Sequence, residues 1–111
     1  VQLYVYTAEG MSVCVPYSDI EQIELRPEFD CGTRVDGSSD DRLNAGTFHN
    51  DEFGDYTLMK MVKSDRVIVV HYSAGTLVFS DSDNQKTYEK FELLKEHDVN
   101  FKPIDFDINA R

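Results

Sequence analysis

Four β-branched apolar residues stand in succession, Val67-Ile68-Val69-Val70, between the turn-forming strings Lys63-Ser64-Asp65 and Ser73-Ala74-Gly75. A strand of this kind cannot show either face to water, so the fold must supply a layer on each side of it. The rest of the chain offers the material. Residues 1–7 alternate Val1, Leu3 and Val5 with Gln2, Tyr4 and Tyr6, and residues 11–16 alternate again, with Ala8-Glu9-Gly10 between them. That is a hairpin. Further strands are predicted over residues 20–26, 46–49, 55–62, 66–72 and 76–80, joined by short turns in the manner of an antiparallel meander, sandwich or barrel. Residues 27–44 are dominated by Asp, Gly, Ser and Arg, with Phe29, Cys31, Val35 and Leu43 as apolar anchors. They read as a long loop with one short strand at 33–35.

A single helix closes the pattern. Asp81-Ser82-Asp83-Asn84 offers several N-caps, and the segment through His97 has no Gly or Pro. At 100° per residue, Tyr88, Phe91 and Leu94 share one stripe that the helix lays on the sheet, with Leu93 outside it. Beyond the helix, Ile104, Phe106 and Ile108 alternate with Asp105 and Asp107, the pattern of an edge strand added to the chain's own sheet or to that of a second copy. The expected organisation is one domain over residues 1–98 and a tail over 99–111.

Charge narrows the partners. The 111 residues carry 21 acidic against 11 basic side chains, net −10, which sets nucleic acid and anionic membranes at a disadvantage. Residues 28–55 hold Glu28, Asp30, Asp36, Asp40, Asp41, Asp51, Glu52 and Asp55 against Arg34 and Arg42. Cys14 and Cys31 form no paired C-x-x-C motif and read as two thiols, not a disulfide scaffold or a zinc ribbon. No apolar run of about 18 residues and no signal-peptide order is present. The chain therefore reads as soluble. It opens inside a strand without a methionine, as a segment of a longer protein would.

Strands followed by one terminal helix are the order of the pleckstrin-homology-like fold, and local strings resemble a bacterial branch of it. Val15-Pro16-Tyr17-Ser18-Asp19-Ile20-Glu21-Gln22-Ile23-Glu24-Leu25 is similar to that branch's I-x-Y-x-D-I-x-x-I-x-L segment. Thr33-Arg34-Val35-Asp36-Gly37 resembles its R-x-N-G element, with Asp36 in place of Asn. Gly46-Thr47-Phe48 with Phe53-Gly54, and Val67-Ile68-Val69 with Gly75-Thr76-Leu77-Val78-Phe79, are similar to its G-x-F and I-x-I to V-F segments, so the likeness covers roughly residues 1–96. It implies a mainly β fold, a partly open barrel of about seven antiparallel strands capped by one C-terminal helix. It also implies a soluble domain tethered to the bacterial membrane through residues outside this chain, and a binding or structural module without enzymatic activity.

The chemistry-bearing residues agree with a non-enzyme. Phosphoinositide-binding relatives hold phosphates with Lys and Arg in the first hairpin loop, whereas here that loop is Ala8-Glu9-Gly10 and the first cation is Arg26. His49, Asp51, Glu52 and Asp55 are weak candidates for a metal site, because they lack the D-x-D-x-D-G order of a calcium loop. A nucleophile would have to be Cys14 with His49 or His71, and Cys14 reads as a buried packing thiol. No cofactor, catalytic residue or metal is expected. The expected function is a protein-interaction or self-association module, with Tyr4, Tyr6, Ile104, Phe106 and Ile108 as contact residues. The alternative is a cation- or small-ligand-binding domain using the acidic 28–55 region.

Overall fold

The computed structural model describes residues 2–6, 12–39, 43–100 and 104–107. Among them are nine strands, a 3-10 turn and one helix. The strands are β1 (Gln2–Tyr6), β2 (Ser12–Pro16), β3 (Ile20–Arg26), β4 (Thr33–Ser39), β5 (Leu43–Asn50), β6 (Gly54–Met61), β7 (Val67–Tyr72), β8 (Gly75–Phe79) and β9 (Ile104–Asp107). The 3-10 turn is Tyr17–Asp19, and the helix, α1, spans Asn84–Asn100.

The strands form two sheets, a three-stranded one in the order β2-β1-β9 and a six-stranded one in the order β3-β7-β8-β6-β5-β4. Neither closes into a barrel, and pairing is mixed: β1 with β9 and β6 with β8 run parallel. Of the expected partly open barrel of about seven antiparallel strands capped by one C-terminal helix, the mainly β content and the helix are present, while the strands are mixed in direction and divided between two sheets. The expected meander also fails at one point, since β8 lies between β6 and β7. Adjacent strands in sequence are not obliged to pair, and local patterning carries no information on which of two neighbours a strand will take.

Alternation along the large sheet builds two cores. Met59, Met61, Ile68, Val70, Leu77 and Phe79 face Leu3, Val5 and Val15 of the small sheet and Leu94 of the helix. On the opposite face Phe48, Tyr56, Leu58, Val67, Val69 and Val78 cluster under Phe29, Cys31 and Phe53. The four residues Val67 to Val70 are all 0% exposed, two in each core, as their doubly apolar pattern demands.

The supposed long loop is largely a hairpin. β4 pairs with β5 from Thr33↔His49 to Ser39↔Asn44, with a bulge between Arg34 and Asp36. Its exposed, polar and glycine-bearing sequence hides the strand from a reading of hydrophobic period. Gly37 faces Gly46 across this hairpin at φ 115° and 140°, and a Cβ on Gly46 would stand 2.1 Å from the Asp36 carbonyl oxygen.

The helix starts where Asp83 caps it, its Oδ1 accepting from the Lys86 amide at 2.8 Å. Its first turn is tied to the link between β6 and β7: the Ser64 and Thr87 hydroxyls are 3.1 Å apart, and the Arg66 amide donates to Asn84 Oδ1 at 3.0 Å. Thr87 and Leu94 are buried and Phe91 is half-buried against the core. Tyr88, expected in the buried stripe, is instead exposed and lies under the Arg66 guanidinium at 5.6 Å. The reason is geometric, since the stripe centres on Thr87, Phe91 and Leu94 and leaves Tyr88 at its rim. No helix among the described residues is long and apolar enough to cross a membrane.

Candidate interaction surface

One face of the large sheet gathers charge and aromatic rings into a single structure. Residues 27–32 carry the chain from β3 to β4, and residues 51–53 turn it from β5 into β6. Asn50 joins the two segments. It is 7% exposed, its amide nitrogen donates to the Asp30 carbonyl at 2.9 Å, and its Oδ1 accepts from the Phe53 amide at 2.8 Å. The Gly32 amide donates to Asp30 Oδ1 at 3.0 Å, and the Tyr56 hydroxyl donates to the Cys31 carbonyl at 2.7 Å. Backbone that leaves the sheet is thus satisfied by side chains.

Arg26, at the end of β3, donates from both terminal nitrogens to the two carboxylate oxygens of Glu52, the Nη2 bond being 2.6 Å long. The sheet order puts β7 and β8 between β3 and β6, so this ion pair reaches across two intervening strands. Arg26 Nη2 also lies 3.3 Å from Glu24 Oε2, which is 3.1 Å from His71 Nε2. The guanidinium carbon sits 5.3 Å from the centre of the Phe53 ring and 6.0 Å from that of Phe29. Those rings stack with centroids 5.9 Å apart, and Phe53 meets Tyr56 and His71 edge to face. A cleft of about 200 Å³ opens beside them, lined by Arg26, Glu28, Phe29 and Asp30 on one side and Asn50, Asp51 and Glu52 on the other.

The electrostatics follow the contacts. Hydrogen bonds from Arg26 hold the Glu52 carboxyl below the usual glutamate range, and the same bonds raise the Arg26 guanidinium. Burial pushes up the Cys31 thiol, which suits a packing residue better than a nucleophile. Burial likewise raises Tyr56 and Tyr72, and takes Tyr17 up to about 12. An unfolded tyrosine ionises near pH 10, so the stabilisation these phenols give is complete below that and is lost as pH rises through their folded values. In a titration followed at 295 nm, Tyr17, Tyr56 and Tyr72 should ionise later than an unfolded tyrosine does, together with loss of ellipticity. Ionisation of all tyrosines in one step near pH 10 with the fold intact would contradict the burial.

The metal candidates separate. His49 Nδ1 meets Asp55 Oδ1 at 2.8 Å as an exposed cross-strand pair, Glu52 turns to Arg26, and Asp51 lines the cleft. Among the described residues no three His, Cys, Asp or Glu side chains group to hold an ion. Cys14 is exposed on β2 of the small sheet, not buried as its strand position suggests, while His49 and His71 stand on β5 and β7 of the large one. Tyr4 and Tyr6 alternate along β1 with the buried Leu3 and Val5. Ile104 and Phe106 lie in register with Leu3 and Val5, and Ile108 falls outside the described residues. Sequence reasoning missed Glu24, Arg26, Phe29, Asn50, Phe53 and His71 as one group. The available signal was an isolated arginine and two phenylalanines flanking acidic turns.

No protein-family model matches the chain, and no curated protein or solved structure matches it either.

Proposed function

We propose that the chain is a non-enzymatic protein-interaction module of the bacterial pleckstrin-homology-like kind, part of a membrane-tethered protein, and that its cleft receives a basic side chain of a partner. The cleft carries this reading. Glu28, Asp30, Asp51 and Glu52 line it against one cation, Arg26, which is already shared between Glu52 and Glu24. An entering Lys or Arg would find uncompensated carboxylate at the rim and the Phe29 ring beside it. A volume near 200 Å³ also suits one side chain better than a cofactor, whose sites run from about 300 Å³ upward. The motif order of the sequence supports the family reading, and the acidic surface argues against phosphoinositide or nucleic-acid partners.

Display of random-sequence peptides against the domain tests the proposal. A defined set rich in Lys and Arg should be retained, and Glu28→Gln with Asp51→Asn, both at exposed positions, should weaken its binding about tenfold. Retention of no set above background would remove the module reading. A set that is apolar or acidic would keep the module and remove the cleft from it.

A further inference from the structure

His71 occupies an unusual place in this arrangement. On one side its Nε2 lies 3.1 Å from Glu24 Oε2, and on the other its Nδ1 lies 3.3 Å from the Thr76 hydroxyl. Its ring meets the edge-to-face partner Phe53 at 5.5 Å, so it also touches the turn that carries Glu52. Glu24 leads to Arg26 and Arg26 to Glu52. The four groups therefore run in a line, Glu52, Arg26, Glu24, His71, across β3, β7 and the β5–β6 turn. Glu24 from β3 and the uncharged Thr76 from β8 bond the imidazole, the Glu52 carboxylate of the turn feels its charge, and Arg26 from β3 bonds both carboxylates.

We propose that protonation of His71 is a latch on the cleft, fastening the 51–53 turn to β3 and β7 in acid and slackening it as the proton leaves. A neutral imidazole donates from Nε2 to Glu24 and accepts at Nδ1 from the Thr76 hydroxyl, so the neutral state is satisfied. One cation, Arg26, must then serve two carboxylates. A proton added at Nδ1 turns that bond round, so that Nδ1 donates to the Thr76 oxygen, and makes the contact with Glu24 an ion pair. The line now alternates minus, plus, minus, plus, and Arg26 is left to Glu52. Histidine as a residue type is the side chain that changes charge within the physiological range. The latch belongs to the cleft whatever the cleft receives, so its test needs no partner.

Amide hydrogen exchange on the isolated chain reads the turn through the Phe53 amide, which is bonded to Asn50 Oδ1. After correction for the intrinsic rate, Phe53 protection should fall about fivefold or more between pH 5.5 and 8, while Val69 in the centre of β7 stays unchanged. His71→Gln should abolish the dependence, and Glu24→Gln should do the same by removing the imidazole's partner. His49→Gln, which removes the exposed pair with Asp55, should leave it intact. Equal protection at both pH values, a dependence that survives both His71→Gln and Glu24→Gln, or one that His49→Gln removes, would overturn the latch.

Discussion

Phe79→Ala is expected to lower the stability of the domain by about 3–5 kcal/mol in a denaturant titration, with the slope of the transition unchanged. Among the described residues Phe79 is the largest of the fully buried side chains. It ends β8 with Met59 on one side and Ile68 on the other, and it lies in the core that joins both sheets to the helix. Deleting its ring removes contacts from all three layers at once, and strands on both flanks prevent collapse into the space. Phe91→Ala, by contrast, should cost about 1–2 kcal/mol, because Phe91 is only half-buried and its site opens to solvent. A loss below about 1.5 kcal/mol for Phe79→Ala would show that the two sheets do not share this core.

Gly46→Ala should destabilise by about 2–4 kcal/mol, a large effect for one methyl group. At φ 140° the backbone lies where an L side chain is rarely found, and that alone costs about 1–3 kcal/mol. The added carbon would also meet the Asp36 carbonyl at 2.1 Å and Gly37 Cα at 2.7 Å, both backbone atoms that cannot swing away. Gly75→Ala separates the two causes. Gly75 has nearly the same φ, 145°, with nothing within 4 Å of its Cβ position, so it should show the conformational cost without the collision. If both substitutions cost the same, β4 and β5 do not approach as closely as described at this pair.

Much of this fold is written in hydrophobic period. The hairpin of β1 and β2, the doubly buried run at Val67 to Val70 and the terminal helix all follow from alternation, turn residues and caps, whereas the apolar residues of β3 at 20, 23 and 25 fit neither period cleanly. What period cannot express is the rest. β4 buries no described side chain, since residues 33–37 are all exposed, and a strand held only by main-chain bonds to β5 leaves no apolar signature. The placement of β8 between β6 and β7 depends on long-range packing of Leu77, Val78 and Phe79, residues that would satisfy either neighbour equally well. The candidate surface was harder still. Its acidic residues were legible as a run, but Arg26 and Glu52 are 26 positions apart and Glu24 and His71 are 47 apart. Pairing of β3 with β7 brings Glu24 to His71, and Arg26 meets Glu52 across β7 and β8, neither of which local pattern can express.

The position of β8 has a consequence for synthesis of the chain from its N-terminus. When β7 has emerged, β6 is already present, five residues upstream, and the two could pair directly as a simple hairpin. The native arrangement requires the opposite: the gap between them must be kept, or reopened, for a strand that is made later. Its seam with β6 runs only from Thr57↔Leu77 to Met59↔Phe79. A growing chain released before residue 79 would hold β6 and β7 without the strand that separates them, two apolar edges free to join each other or a neighbour. The last third of the sequence therefore decides whether the middle third is arranged correctly.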